Sequence, residues 1–147
     1  MVREKNSLND FLNLHQRRSL LIALRQFEQD FREADEWLNG KKVEGILYSQ
    51  RLSLPQADRL VARQVIQQAL ELIADLAQSL DFEKYKEDMS ATINAVLNTQ
   101  WINLYDQHAV KHKRSGQVHP ELSKHLDPFI DELISKTLRL SEIIRPK

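Results

Sequence analysis

The sequence predicts an all-α chain arranged as an up-down-up-down four-helix bundle, and three observations carry that expectation. Apolar residues recur at spacings of three and four along four separate stretches, the repeat of an amphipathic helix. Only three glycines and four prolines occur in 147 residues, too few turn residues for a loop-rich β fold. Charge is also segregated along the chain, so that helices alternating in direction bring opposite signs together at both ends.

The first helix is expected over about 8–39, either continuous or bent at the polar stretch 15–19, with Ser7 as its cap. Its seam is Leu20, Leu24, Phe27, Phe31, Ala34 and Leu38, and Gly40 suits the left-handed position just past a helix end. Residues 40–53 read as an irregular connection, with Ile46, Leu47, Tyr48 and Leu52 tucked over one end of the core. Ser53-Leu54-Pro55-Gln56 then offers a cap, a proline in the first turn and a glutamine at the capping-box position. The second seam is Ala62, Ile66, Ala69, Ile73, Leu76 and Leu80, and Val61, Val65, Leu70 and Leu72 broaden it enough to touch two neighbours.

Asp81 is the only punctuation before the third pattern, so a very short turn is expected near 79–82. Phe82, Tyr85, Met89, Ile93, Leu97, Trp101, Leu104 and His108 form the third seam, which Arg114-Ser115-Gly116 ends. Pro120 opens a short helical turn at 120–126, and Asp127-Pro128 restarts a fourth helix with the seam Ile130, Leu133, Thr137, Leu140 and Ile144. Short connections favour antiparallel neighbours.

Charge gives an independent reading of direction. Residues 15–25 carry a net +3 from Arg17, Arg18 and Arg25, whereas 26–39 carry a net −4. In an alternating bundle the basic start of helix one lies beside the acidic end of helix two, and its acidic end lies beside Arg51, Arg59 and Arg63. Each exposed pair is worth about 0–1 kcal/mol, so this selects orientation more than it stabilises.

Composition excludes several classes. With 41% hydrophobic and 29% charged residues, the chain has the material for one helical domain over 1–147 and is not a disordered tail. The lack of cysteine excludes disulfide and thiolate chemistry. No apolar run approaches the roughly 20 residues of a membrane span, and the N-terminus has no signal-peptide core, so a cytoplasmic protein without a membrane partner is expected. Twenty-one basic and twenty-one acidic side chains leave no net field to select a polyanion.

Candidate chemistry is concentrated near 108–125. His108 and His112 stand at i, i+4, a spacing that lets two imidazoles share a metal on one helix face, with His119, His125, Asp106 or Glu121 as further ligands. No Glu-x-x-His pair accompanies them. Histidines at a helix C-terminus also complement its dipole, and on that ground no metal or other cofactor is expected. Basic clusters at Arg18 and Arg25, at Arg59 and Arg63, and at Lys111, Lys113 and Arg114 suit a nucleic-acid backbone or an acidic partner.

Arg114-Ser-Gly-Gln-Val-His119 resembles in placement the Arg-x4–6-His motif of HEPN-type ribonucleases, which are helical bundles of similar size. The resemblance implies metal-independent RNA cleavage, with Arg114 stabilising a phosphate oxyanion and His119 moving a proton. Ser115 replaces the usual asparagine and Pro120 follows the histidine, which departs from that pattern. In fold class alone the chain is also similar to small helical subunits of CRISPR effector complexes, which touch nucleic acid only inside a larger assembly. No polar set converges on the seams, so the expected role is a non-enzymatic subunit docking onto other proteins, in an assembly that includes an RNA or DNA backbone. The alternative is the ribonuclease using Arg114 and His119.

Overall fold

The computed structural model describes residues 8–145 and is predominantly helical, with four α-helices, two 3-10 turns and one β-hairpin among them. The chain divides into two compact units between Lys84 and Tyr85.

In the first unit a 3-10 turn over Leu8–Phe11 precedes α1 (Leu14–Leu38). The expected start near 8 is broken because Asn13 takes an extended backbone and caps the helix, accepting from Gln16 N while the Gln16 side chain accepts from Asn13 N. That capping box satisfies two orphan donors and makes 15–19 part of the first turns of a continuous helix, the unbent of the two expected forms. Ser7, the expected cap, lies outside the described residues. Past the C-terminus, Gly40 sits at φ +95, the left-handed conformation glycine adopts without strain.

Residues 40–53 are not irregular. β1 (Lys42–Glu44) pairs antiparallel with β2 (Ser49–Arg51), with Lys42 opposite Arg51 and Glu44 opposite Ser49. Pairing satisfies the backbone locally, so the segment needs no core to cover it. Ile46 and Leu47 accordingly stand in solvent, 100% and 94% exposed, rather than tucked over the bundle.

α2 (Gln56–Leu80) starts one residue after its expected first-turn proline. Pro55 itself occupies the cap position, without a side-chain bond, because its φ of −58 suits the entry and its missing N–H is no loss there. α2 runs antiparallel to α1. Arg17 at the start of α1 donates from Nε and Nη2 to Leu80 O (3.3 and 3.2 Å) and from Nη2 to Asp81 O (3.1 Å), capping the end of α2. At the other end Arg63 pairs with Asp35 at 2.9 Å and donates to Asn39 Oδ1. Opposite signs do meet here as the charge pattern predicts. At the Arg17 end the acceptors are backbone carbonyls that the helix leaves free, not carboxylates.

The second unit begins in an extended segment. The expected short turn at 79–82 is instead non-helical from Asp81, left-handed at φ 47, to Asp88, so Phe82 and Tyr85 precede the helix. Asp88 caps α3 (Met89–Tyr105) by accepting from Ser90 N at 2.9 Å, and that bond holds its carboxyl below the usual range. α3 ends ten residues before the expected Gly116 boundary. A 3-10 turn over Ala109–Ser115 follows, and α4 (Leu122–Ile144) then runs continuously through Pro128. The expected separate turn at 120–126 is therefore largely the first part of α4. Pro128 sits within its first two turns and removes one backbone bond, to Lys124 O, without ending the helix.

Candidate docking surfaces

Each unit is a helical hairpin, and the residues it turns inward differ. Between α1 and α2 the seam is apolar. Leu24, Phe31 and Leu38 face Ala62, Ile66, Ala69, Ile73, Leu76 and Leu80, every one of them buried or half-buried. Leu80 is wholly buried and Ile66 is 9% exposed. Between α3 and α4 the least exposed positions are Ser90, Asn94, Leu97, Trp101, Leu104 and His108, against Asp127, Ile130, Ile134, Thr137, Ser141 and Ile144. That seam keeps the expected Leu97, Trp101, Leu104, His108, Ile130, Thr137 and Ile144 and differs in its other members. Met89, Ile93, Leu133 and Leu140 are exposed, and polar Asn94 and Ser141 take inward positions, where Ser141 Oγ donates to Asn94 Oδ1.

The outward residues form a second stripe on every helix. Phe27 and Ala34 on α1 and Val61, Val65 and Leu72 on α2 lie about a quarter turn from the seam, in the same rotational sense. In an antiparallel pair an equal sense of rotation puts both stripes on one side of the hairpin. The same holds for Met89, Ile93 and Val96 on α3 with Phe129, Leu133, Leu140 and Ile143 on α4. α3 carries no charged residue at all. The seven outward residues of the second unit are 42–72% exposed. The whole chain exposes 12,497 Å².

The ionisable residues that the sequence singled out are placed as follows. Arg59 donates to Leu54 O at 2.8 Å and Leu52 O at 2.5 Å, and Arg63 holds Asp35, so both serve the first unit's own structure. Arg18 is exposed, and Arg25 is half-buried on α1. Lys111 lies over the Tyr105 ring at 5.5 Å, while Lys113 and Arg114 are exposed at the end of the 3-10 turn.

His108 and His112 are not the pair their spacing suggests. They flank and occupy a 3-10 turn, whose three residues per turn rotate i and i+4 apart. His108 Nδ1 donates to Tyr105 O at 2.7 Å and Nε2 to Asp131 Oδ1 at 2.6 Å, which leaves neither nitrogen free for a metal. Asp131 chiefly, then the Tyr105 carbonyl, raise the His108 pKa. His112 Nε2 donates to Gln107 O at 3.0 Å. Among the described residues no group of three or more ligating side chains is gathered for a metal. Asp127 and Asp131, one turn apart on α4, are the members of this cluster that the sequence reading missed. Asp127 accepts from Ala109 N at 2.8 Å and so caps the 3-10 turn. An i, i+4 acid pair at the start of a helix, with a histidine ending the previous one, is the only sequence signal for them.

His119 Nδ1 accepts from Glu121 N at 3.1 Å, which fixes the tautomer with Nε2 protonated. Among the described residues no hydrogen bond joins Arg114 to His119.

One cleft, of about 490 Å³, opens in the first unit at the foot of the β-hairpin. Lys41, Lys42, Arg51 and Arg59 line it, and no acidic residue does.

No helix of the described residues is long and apolar enough to cross a membrane. Comparison with known protein families, with curated proteins and with solved structures finds no match for this chain.

Proposed function

We propose that the chain is a non-enzymatic subunit that docks onto other proteins through the apolar sides of its two helical hairpins. The observation that carries this reading is the second unit's outward stripe. Ile93, Val96, Leu133 and Leu140 are 42–54% exposed while Asn94 and Ser141 point inward. Burying large aliphatic side chains is worth about 1.5–3 kcal/mol each, so a hairpin that turns them outward gains most when something covers them. The covered state we propose is a four-helix bundle with helices alternating in direction, each apolar side closed by a second helical hairpin. The further proposal that the assembly holds a nucleic-acid backbone rests on the exposed cations Arg18, Lys113 and Arg114.

The test is co-elution. Tagged chain expressed at its natural level is expected to elute with a stoichiometric protein partner, and Ile93→Asp with Leu133→Asp to lose that partner while keeping its far-ultraviolet helical signal. Wild-type chain eluting alone overturns the reading. Metal-independent RNA cleavage by purified chain, lost in His119→Ala, replaces it with the HEPN-type alternative.

A further inference from the structure

The 42–51 hairpin combines two features that its sequence does not need for folding. Two-residue tips ordinarily carry glycine, asparagine or aspartate, which accept the turn geometry and water alike. Here the tip is Ile46-Leu47, almost wholly in solvent. The turn is closed without help from these side chains, by Gly45 N donating to Tyr48 O at 2.8 Å. At the other end of the hairpin the register sets Lys42 directly opposite Arg51, a like-charge pairing that weakens a two-stranded sheet. Lys41 and Arg59 join them around the cleft, so four cations share one acid-free concavity. Arg59 is held in place by two loop carbonyls and keeps its remaining N–H groups for another acceptor.

From these features we propose that the hairpin is a peripheral docking element for an anionic lipid surface. Ile46 and Leu47 enter the headgroup–acyl boundary, and Lys42, Arg51 and Arg59 meet the lipid phosphates. The dimensions agree. Four residues of extended chain separate Lys42 from Ile46, about 13 Å, and lysine stems reach several ångströms further towards the phosphates. An apolar element at a bilayer surface sits about 5–10 Å into that boundary. Stable attachment at a surface takes two signals, an apolar one and a basic one, and this hairpin carries both within one short segment. The nearest acids do not cancel the cations. Glu44 accepts from Ser49 Oγ at 3.0 Å, and Glu36 pairs with Lys41 at 3.2 Å, which leaves Lys42, Arg51 and Arg59 as the cations of the cleft that no acid holds among the described residues.

A nucleic-acid strand is the competing polyanion, and the tip argues against it. Sequence-tolerant binding of single strands depends on aromatic faces for base stacking. The hairpin's one aromatic, Tyr48, is laid against Gly45 so closely that a Cβ there would meet its ring at 2.9 Å. Tyr48 is 57% exposed with its ring edge against Gly45, whereas the residues that project furthest, Ile46 and Leu47, are aliphatic. The inference does not rest on the protein-docking reading, and it departs from the expectation that no membrane is a partner.

The experiment is co-sedimentation of the full chain with phosphatidylcholine vesicles, with and without phosphatidylserine. Binding is expected to the anionic vesicles and to fall at least about tenfold on neutral ones. Ile46→Ser with Leu47→Ser is expected to lower it by about tenfold or more, and Lys42→Glu with Arg51→Glu likewise. Because Ile46 and Leu47 touch no core, the tip variant keeps the fold, and unchanged circular dichroism verifies that. Three outcomes overturn the proposal. One is no binding of wild type to anionic vesicles, and another is binding that the tip variant leaves intact. The third is selective retention of a single-stranded oligonucleotide, lost with Arg51→Glu and indifferent to the tip.

Discussion

The two helical hairpins of this chain differ in the seams they close. α1 and α2 turn aliphatic residues inward over their whole contact and are tied at both ends by guanidinium groups, Arg17 on the Leu80 and Asp81 carbonyls and Arg63 on Asp35. α3 and α4 turn a mixed seam inward, with Ser90, Asn94, Thr137 and Ser141 among its members, and send Ile93, Val96, Leu133 and Leu140 out. The ties of the first unit are half-exposed, and an exposed ion pair contributes only about 0–1 kcal/mol. The apolar seam is therefore what holds α1 on α2. Similar amphipathic periodicity thus accompanies two different seams, apolar between α1 and α2 and mixed between α3 and α4.

The chain carries its own reporters for this contrast. Trp37 lies in the first unit and Trp101 in the seam of the second, and these are its only two tryptophans. The largest expected effect is at Leu80, among the described residues the one large side chain wholly removed from solvent. Leu80→Ala should cost about 2–5 kcal/mol, from lost transfer energy and the cavity left behind. In urea, the Trp37 transition should move to lower denaturant while the Trp101 transition stays in place. If both move together, the two hairpins unfold as one cooperative body and the contrast between them fails.

A smaller effect is expected at the polar seam. Ser141 is 8% exposed and its hydroxyl donates to Asn94. Ser141→Ala strands the Asn94 carbonyl and should cost about 1–2 kcal/mol in the Trp101 transition. Adding Asn94→Leu should recover most of that loss, since an apolar pair leaves nothing unsatisfied. A double variant as unstable as the single would mean that the inward polar pair is required for the register of α3 on α4, which sharpens the difference from the first unit.

How much of this was legible in the sequence follows the same division. The α2 seam could be read residue by residue, because Ala62 through Leu80 keep one stripe at a regular 4, 3, 4, 3, 4 spacing. In α1 the expected seam mixes two stripes, so Leu24, Phe31 and Leu38 face inward whereas Phe27 is 43% exposed. For α3 and α4, hydropathy reads most of the seam, Leu97, Trp101, Leu104 and His108 with Ile130, Thr137 and Ile144, but mixes in outward residues. It selects Ile93, Leu133 and Leu140, because periodicity identifies the most apolar side of a helix and not which partner covers it. Asn94 and Ser141 were invisible as seam members for that reason. The β-hairpin escaped as well, since three-residue strands carry too little alternation and Ile46-Leu47 is not a turn signature. Of the candidate site residues, Arg59 and Arg63 were legible as a pair but not as internal clamps, because the loop carbonyls and Asp35 that hold them are set by the fold.

The smallest expected effect concerns pH and separates the hairpins by the chemistry of their ties. Both His108 nitrogens face acceptors, the Tyr105 carbonyl and the Asp131 carboxylate, so only the doubly protonated imidazolium satisfies the geometry. Its folded pKa is accordingly raised above the unfolded value of about 6.5. The stability it contributes is then fully present below about pH 6.5 and is lost as the pH rises through the folded pKa. Arg17 and Arg63 stay charged across that range and give the first hairpin no matching loss from its ties. The Trp101 transition should therefore weaken from mildly acidic to mildly alkaline buffer. Asp131→Asn should flatten that slope, because the amide keeps an acceptor but no longer favours the imidazolium. A Trp101 slope that survives Asp131→Asn would assign the pH dependence to some other group. A Trp37 transition with the same slope would show that the guanidinium ties of the first hairpin do not set its response.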